Sequence, residues 1–379
     1  MNKLKLNTQQ QEAVARIGDW LKRRDKPYFY LAGYAGTGKS TLAAYVAEEL
    51  ENRVVFASFT GKAALVMQSK GCTGACTIDR LIYRPNIKST CSAQPPCGRP
   101  PCSPQCHFKH DYFAGRRLNE ASNLGRARLG VLDEVSMVGD RMGNDLLSFR
   151  TPIPALGDEA QLPPVMDTGF FRRRGPDFQL TEIHRQRQGS PVIELATRVR
   201  QGQRLPHGTY GDSAVLPHVD VTAALEVDQV ICDTNRVCLA LNQQIRKRFG
   251  HDGPTPQVGE KVLCLKNNRD LGLWNGGIWY VREICPPDKH GMMDMTVVNE
   301  DGFTAEVNAP LEPFTSAEGN SQEWQGNPFK FGYAITCHKA QGSQWGSVLV
   351  FSTSQRFGED PRWLYTAITR AEERVVVVR

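Results

Sequence analysis

The run Gly33-Tyr-Ala-Gly36-Thr-Gly38-Lys39-Ser40 constrains this chain more than any other feature, because it dictates what must lie on both sides of it. It fits G-x-x-x-x-G-K-[ST], a loop that cradles phosphate oxygens when a strand leads in and a helix leads out. Both flanks are present. Tyr28-Phe-Tyr-Leu-Ala32 predicts a short apolar strand, and Ser40 to Leu50 predicts a helix. Lys39 can set a compact positive charge between the β- and γ-phosphates of a nucleotide, and the Ser40 hydroxyl can ligate Mg²⁺.

The same alternation continues on either side. Ala13, Ile17 and Leu21 fall at helical spacing within Gln9 to Lys22, Arg53 to Ser58 reads as a strand, and Thr60 to Lys70 as a helix. Strands at Leu129 to Leu132 and Ile153 to Leu156 extend a parallel sheet covered by helices. A second α/β unit begins near Pro191, with a helix from Val192 to Arg200 and a strand at Val230 to Cys232. It closes with Val348 to Phe351, a helix at Trp363 to Thr369 and a strand at Arg374 to Val378. Between these, Pro254 to about Glu300 carries short strands and turn signals that predict a small inserted β-barrel. The 379 residues suit two or three domains, at roughly 150 residues each.

Leu129-Gly-Val-Leu132-Asp133-Glu134 is an apolar strand ending in two acids, an unfavourable place for carboxylates unless a cation or donors lie nearby. Asp133 is suited to Mg²⁺ and Glu134 to activating a water, so together with the phosphate loop they point to nucleotide hydrolysis. Gly157-Asp158-Glu159-Ala160-Gln161 follows the next strand, and the amide of Gln161 can sense a γ-phosphate or a lytic water.

Charge and cysteine are unevenly spread. The net charge is +6, yet residues 80 to 130 alone hold nine basic side chains against Asp111 and Glu120, a segment suited to a phosphate backbone. Within Pro85 to Gly115, rich in proline, Cys91, Cys97, Cys102 and Cys106 precede His107. The segment has few apolar residues, so three readings stand open: a structural Zn²⁺ held by four Cys or by three with His107, an unliganded loop, or a redox-sensitive cluster. No apolar run reaches membrane-spanning length, and the start lacks the apolar stretch of a secretory signal. The expectation is a soluble, cytoplasmic protein.

In their order along the chain these blocks resemble superfamily 1 helicases of the 5′-to-3′ branch, in particular the RecD-like group with its small phage-encoded members. The resemblance spans roughly residues 6 to 378 and rests on Leu6-Asn7-x-x-Gln10, Gly33 to Thr41, Thr60-Gly-Lys-Ala-Ala64, Asp133-Glu-Val-Ser136 and Gly157 to Val165. It continues through Leu180 to Gln186, Thr234-Asn-Arg236, Tyr333 to Trp345 and Trp363 to Arg370. Three departures are Asp79, where relatives usually carry His, Phe59, in a place often held by Pro, and Glu159, where Pro is common.

The resemblance implies two RecA-like P-loop NTPase domains with parallel sheets, an irregular insertion in the first and an SH3-like β-barrel insertion in the second. The implied boundaries are 1–84 with 119–186, 85–118 for a strand-separating pin, 187–250 with 326–379, and 251–325. ATP with Mg²⁺ is the implied ligand, held by Gln10 at the adenine edge and by Gly33, Gly36, Thr37, Gly38, Lys39, Ser40 and Thr41. Lys39, Asp133, Glu134, Gln161, Arg185 and Arg370 are the implied catalytic set, the two arginines reaching the γ-phosphate from the second domain. Thr60, Lys62, Asn235, Thr336, His338, Lys339 and Ser343 would line a single-stranded DNA track, with Gln341 and Gly342 linking it to the nucleotide. Phe59 either stacks a base or packs beneath the loop. Implied partners are single-stranded DNA, its junctions with duplex, and replication or recombination proteins, with the chain acting as a monomer away from membranes.

Overall fold

Three strands that read as unbroken apolar runs are buried along their whole length: Tyr28–Gly33, Leu129–Asp133 and Ile153–Gly157. Burial on both faces is the mark of a parallel sheet between helical layers. The structure, a computed structural model, describes residues 6–48, 53–85, 116–164, 169–183, 189–268, 270–317, 324–351 and 360–379.

The first sheet has six strands in the order Cys76–Thr77, Val54–Ser58, Leu129–Asp133, Ile153–Gly157, Tyr28–Gly33 and Phe178–Leu180, all paired in parallel. Alternate side chains of one strand feed opposite cores. Phe29 and Leu31 join Ile17 and Trp20 on one face, whereas Tyr28 and Tyr30 join Ile153 and Phe171 on the other. The Thr8–Arg23 helix that brings Ile17 and Trp20 there is fixed at its start by a reciprocal cap between Asn7 and Gln10.

The second sheet runs Ala334–Thr336, Gln229–Cys232, Trp345–Phe351, Ala371–Val378, Ser213–Leu216 and Gly208–Tyr210. Only the last strand is antiparallel to its neighbour. This repeats the two-faced logic, with Ile231 and Val348 in one core and Val230 and Leu349 in the other. Two units, each a parallel sheet between helices, agree with the two-domain RecA-like arrangement.

A five-stranded antiparallel sheet follows the order Thr304–Pro310, Met292–Val298, Ile278–Ile284, Lys261–Cys264 and Phe329–Phe331. Its last strand lies beyond the 251–325 boundary read from sequence, because Phe329 and Phe331 pair with Cys264 and Val262. The Asn327 N–H donates to the Asn308 carbonyl at 2.8 Å and draws the two edges of this sheet toward each other. A short ladder, Tyr83–Pro85 with Arg116–Leu118, brackets the cysteine-rich segment. Cys91, Cys97, Cys102, Cys106 and His107 themselves lie outside the described residues.

Arg246, on the Asn235–Arg248 helix, joins the second unit to this antiparallel sheet. Its guanidinium donates to both carboxylate oxygens of Glu260, at 2.7 and 2.8 Å, and sits 3.9 Å from the Phe331 ring centroid. The two side chains are 4% and 0% exposed, so loss of one partner would strand a desolvated charge. Glu260→Ala should therefore lower stability by about 3–5 kcal/mol. Urea unfolding followed by circular dichroism checks this, and a loss below about 1 kcal/mol, as for a surface pair, would contradict it.

Candidate functional site

Because Leu129–Asp133, Ile153–Gly157 and Tyr28–Gly33 are parallel neighbours, their carboxyl ends deliver three chemically distinct groups to one edge of the sheet. The phosphate loop turns there through Gly36 and Gly38, both at φ 81°, a conformation that favours glycine. The Lys39 ammonium donates to the carbonyls of Gly33 at 2.6 Å and Tyr34 at 3.1 Å, and the Thr37 hydroxyl donates to Tyr34 at 2.8 Å. Ser40 and Thr41 lie in the first turn of the Lys39–Glu48 helix. The Ser40 hydroxyl donates to Asp133 Oδ2 at 2.7 Å, so two hard oxygen donors of the kind Mg²⁺ prefers already face each other.

Gln10 is 2% exposed, and both ends of its amide are used. Its Nε2 donates to the Thr37 carbonyl at 3.1 Å, and its Oε1 accepts from the Asn7 N–H at 3.1 Å. The helix cap and the phosphate loop are thereby one hydrogen-bonded piece.

Glu134 follows Asp133 at φ 54°, ψ 41°, a left-handed conformation that costs a residue with a Cβ about 1–2 kcal/mol. Strain of this kind concentrates at functional sites. Its N–H donates to Asp133 Oδ1 at 2.8 Å. Burial raises the Glu134 carboxyl above its ordinary range; Arg370 and Lys39 pull it back, and Asp133 and Asp158 oppose them. Arg370 is 2% exposed, and among the described residues its guanidinium donates to neutral oxygens: Thr366 O at 3.0 Å, Ser343 O at 3.2 Å and Thr369 Oγ1 at 3.2 Å. A cation from the second unit thus faces the acids of the first. Arg185, expected beside it, lies outside the described residues.

Gln161 is 3% exposed, and its side-chain oxygen is buried without a partner. The segment that carries it is held by the second unit. The Leu162 N–H donates to Thr366 Oγ1 at 2.9 Å, the Gln341 amide donates to Leu162 O at 3.4 Å, and the Leu162 side chain lies in the second unit's core.

Of the expected track residues, Thr60 and Lys62 approach the second unit directly. Thr60 caps the Gly61–Ser69 helix, and a Cβ placed on Gly342, at φ 75°, would stand 2.1 Å from the Thr60 hydroxyl. Only glycine allows that approach. Lys62 lies 4.9 Å from the Trp345 ring centroid, and burial lowers its pKa. Lys339 donates to Asn275 Oδ1 at 2.8 Å, and Asn235 Oδ1 accepts from Lys330 at 3.0 Å. Thr336 and Ser343 are buried, and His338, its pKa lowered by burial, borders a cavity of about 700 Å³ shared with Tyr34, Glu159 and Arg200. Phe59 is half-buried against the core of the first unit, in keeping with packing beneath the loop.

Sequence reasoning missed Tyr365, Thr366 and Trp274. Tyr365 lies within a quoted block, yet no spacing rule places its hydroxyl at the phosphate loop, where it accepts from the Ala35 N–H at 3.1 Å. Trp274 packs over Gly61 from the antiparallel sheet, a contact with no local signature.

A phosphate loop ending in Lys-Ser, with an acidic pair at the end of a strand two places away in the same sheet and Asp133 bonded to Ser40, gives the first unit the outline of a P-loop NTPase. A family model described as "AAA domain" matches residues 5–218, more than half of the chain, and one described as "UvrD-like helicase C-terminal domain" matches residues 331–378. The chain belongs to the AAA-domain family, and the resemblance to superfamily 1 helicases of the RecD-like group stands.

Among curated relatives, the ATP-dependent RecD2 DNA helicase of Deinococcus radiodurans is 28% identical over 376 residues, covering 91% of this chain and 46% of the relative. The ATP-dependent DNA helicase dda of Enterobacteria phage T4 is 25% identical over 274 residues, covering 64% of this chain and 57% of the relative. The chain thus spans about half the length of these relatives. A structure described as Pif1 helicase from Bacteroides in complex with ADP-AlF3 and ssDNA has a TM-score of 0.57 at 19% identity, covering 99% of this chain and 92% of that one. It shares the fold.

Burial lowers Lys339 from 10.5 to about 8, with Lys330 adding repulsion. A lowered lysine is charged below that value and neutral above it, so its attraction for phosphate fades as pH rises through 8. Affinity for a single-stranded oligonucleotide should fall by up to about tenfold between pH 7 and 9, and Lys339→Arg should flatten the profile. Fluorescence anisotropy across that range measures it; identical profiles for the two proteins would refute the assignment.

Proposed function

We propose that this chain is an ATP-dependent DNA helicase that moves 5′ to 3′ along single-stranded DNA and separates duplex ahead of it. The observation that carries the reading is Arg370. This buried guanidinium from the second unit bears on the carboxyl of Glu134 in the first while bonding the carbonyl of Ser343 at 3.2 Å, a residue of the expected track. One side chain therefore links the expected track, through Ser343, to the electrostatics of the acid read as hydrolytic. The names of the relatives, ATP-dependent DNA helicases, support the class, and the polarity rests on the resemblance.

In this reading Lys39 and the loop glycines hold the β- and γ-phosphates. Glu134 orients the attacking water and takes its proton, a role helped by a carboxyl raised above the usual range. Ser40 and Asp133 would hold Mg²⁺, which when bound neutralises phosphate charge. Gln161 senses the γ-phosphate, and Arg370, joined by Arg185, stabilises charge on the transferred group, a contribution of about 10³–10⁵ in comparable sites. Thr60 and Lys62 in one unit, with Asn235, Thr336, His338, Lys339 and Ser343 in the other, contact phosphate and sugar without reading bases. Alternating closure and release of the two units then moves the strand.

The finer assignments belong to the same proposal. The antiparallel sheet is read as an SH3-like insertion, supported by its closed core of Val262, Trp279, Val297 and Phe331. The segment between the Tyr83–Pro85 and Arg116–Leu118 strands is read as the pin, with a structural Zn²⁺ on its clustered cysteines resting on the scarcity of apolar residues that could otherwise order it.

Matched 5′-tailed and 3′-tailed duplexes of DNA and RNA, with ATP and with a non-hydrolysable analogue, test the whole reading. Strand release from 5′-tailed DNA with ATP alone is expected. Release only from RNA, or stimulated ATPase without release, would replace the helicase with an RNA motor or a protein-displacing ATPase. Glu134→Gln should retain ATP binding and lower hydrolysis by about 10²–10⁴; an undiminished rate would remove Glu134 from the mechanism.

A further inference from the structure

The Pro361–Ile368 helix meets the first unit through two consecutive hydroxyls. Tyr365 is 2% exposed. Its hydroxyl accepts from the Ala35 N–H of the phosphate loop at 3.1 Å and donates to Asp158 Oδ2 at 2.7 Å. The other oxygen of Asp158 accepts from the Ala160 N–H at 3.0 Å and shapes the turn that leads to Gln161. One residue on, Thr366 Oγ1 accepts from the Leu162 N–H at 2.9 Å. The residues on either side of Gln161 are thereby fastened to one helix. That helix also supports Arg370, whose Nε donates to Thr366 O at 3.0 Å.

We propose that Tyr365 is a positioning residue whose hydroxyl latches the phosphate loop to the Asp158–Leu162 segment, so that the loop, Gln161 and Arg370 respond to nucleotide together. The ring alone would be satisfied by packing, since it sits among Trp363, Leu364 and Ile368 in the core of the second unit. The hydroxyl does something the ring does not. It is the atom that satisfies the N–H of Ala35 and one oxygen of a carboxylate with no exposed surface. Burial raises the phenol well above its ordinary pKa, so it stays a donor to Asp158 over the working pH range. A tyrosine that only filled space would need neither bond.

The proposal rests on the reading that the chain is a nucleic-acid-stimulated ATPase, and its test separates the two. Tyr365→Phe keeps the ring and removes the latch. In the full chain it should lower the ATPase kcat measured at saturating oligo-dT by about ten- to a hundredfold, the scale set by stranding a buried carboxylate oxygen and an N–H. KM for ATP and oligo-dT affinity without nucleotide should change little, while the melting temperature falls only by the few degrees that two unpaired buried groups cost. Asp158→Asn combined with Tyr365→Phe should cost little more than either alone, because both break one linkage. A Tyr365→Phe protein that keeps its stimulated kcat within about twofold overturns the latch, as does one that loses kcat only in parallel with melting temperature and oligonucleotide affinity. Should the unmodified chain show no stimulated ATPase, the motor reading fails by itself. Amide hydrogen exchange then decides the latch: faster exchange at residues 158–162 in Tyr365→Phe sustains it, and unchanged exchange overturns it.

Discussion

The structure depends on keeping charge buried at the junction of the two sheets. Asp133, Asp158 and Arg370 are each 4% exposed or less, and Glu134 stands among them with Lys39 close by. Carboxylates so placed would take up protons or disrupt the fold unless cations and donors surround them. The first unit supplies Lys39 and the Ser40 hydroxyl; the second supplies Arg370 and the Tyr365 hydroxyl. Asp133 is bonded within the first unit, whereas Asp158 takes one of its bonds from the second. The electrostatic balance of the site therefore requires both units to be present at it, which makes their relative position a chemical variable as well as a mechanical one.

That dependence explains why the segment after Gly157 is shaped as it is. It springs from the first sheet, yet Asp158, Leu162 N and Leu162 O are all bonded from the second unit. Gln161 sits between these attachments.

Much of this was legible in the chain. The phosphate loop announced itself through spacing and flanks, and the central strands through continuous apolar runs, since burial on both faces leaves no room for polar residues. The edge strands Cys76–Thr77 and Phe178–Leu180 went unread, because two or three residues carry no period. The Asp140–Ser148 helix was also missed; it begins after Gly139 without a side-chain cap and contains Gly143. Asn235–Arg248 escaped because its exposed face is rich in Gln, Lys and Arg, which dilute the apolar spacing. Gln10 shows the limit at the site itself. Its importance was visible, but its joint role in the helix cap and at Thr37 depends on two elements meeting in space. Tyr365 lies further out of reach, 330 positions from the N–H it satisfies.

The lysines of the expected track add a physical reason for reversible grip. Lys62 and Lys339 are both lowered by burial, and each meets a neutral group: the Trp345 ring and Asn275. A lysine already paired with a carboxylate must break an ion pair to take a phosphate, whereas one resting on an amide or a ring exchanges a weak contact for a stronger one. Several modest contacts, divided between two units that share one buried electrostatic junction, can be made and released in turn. A single tight contact would hold the strand and stop it.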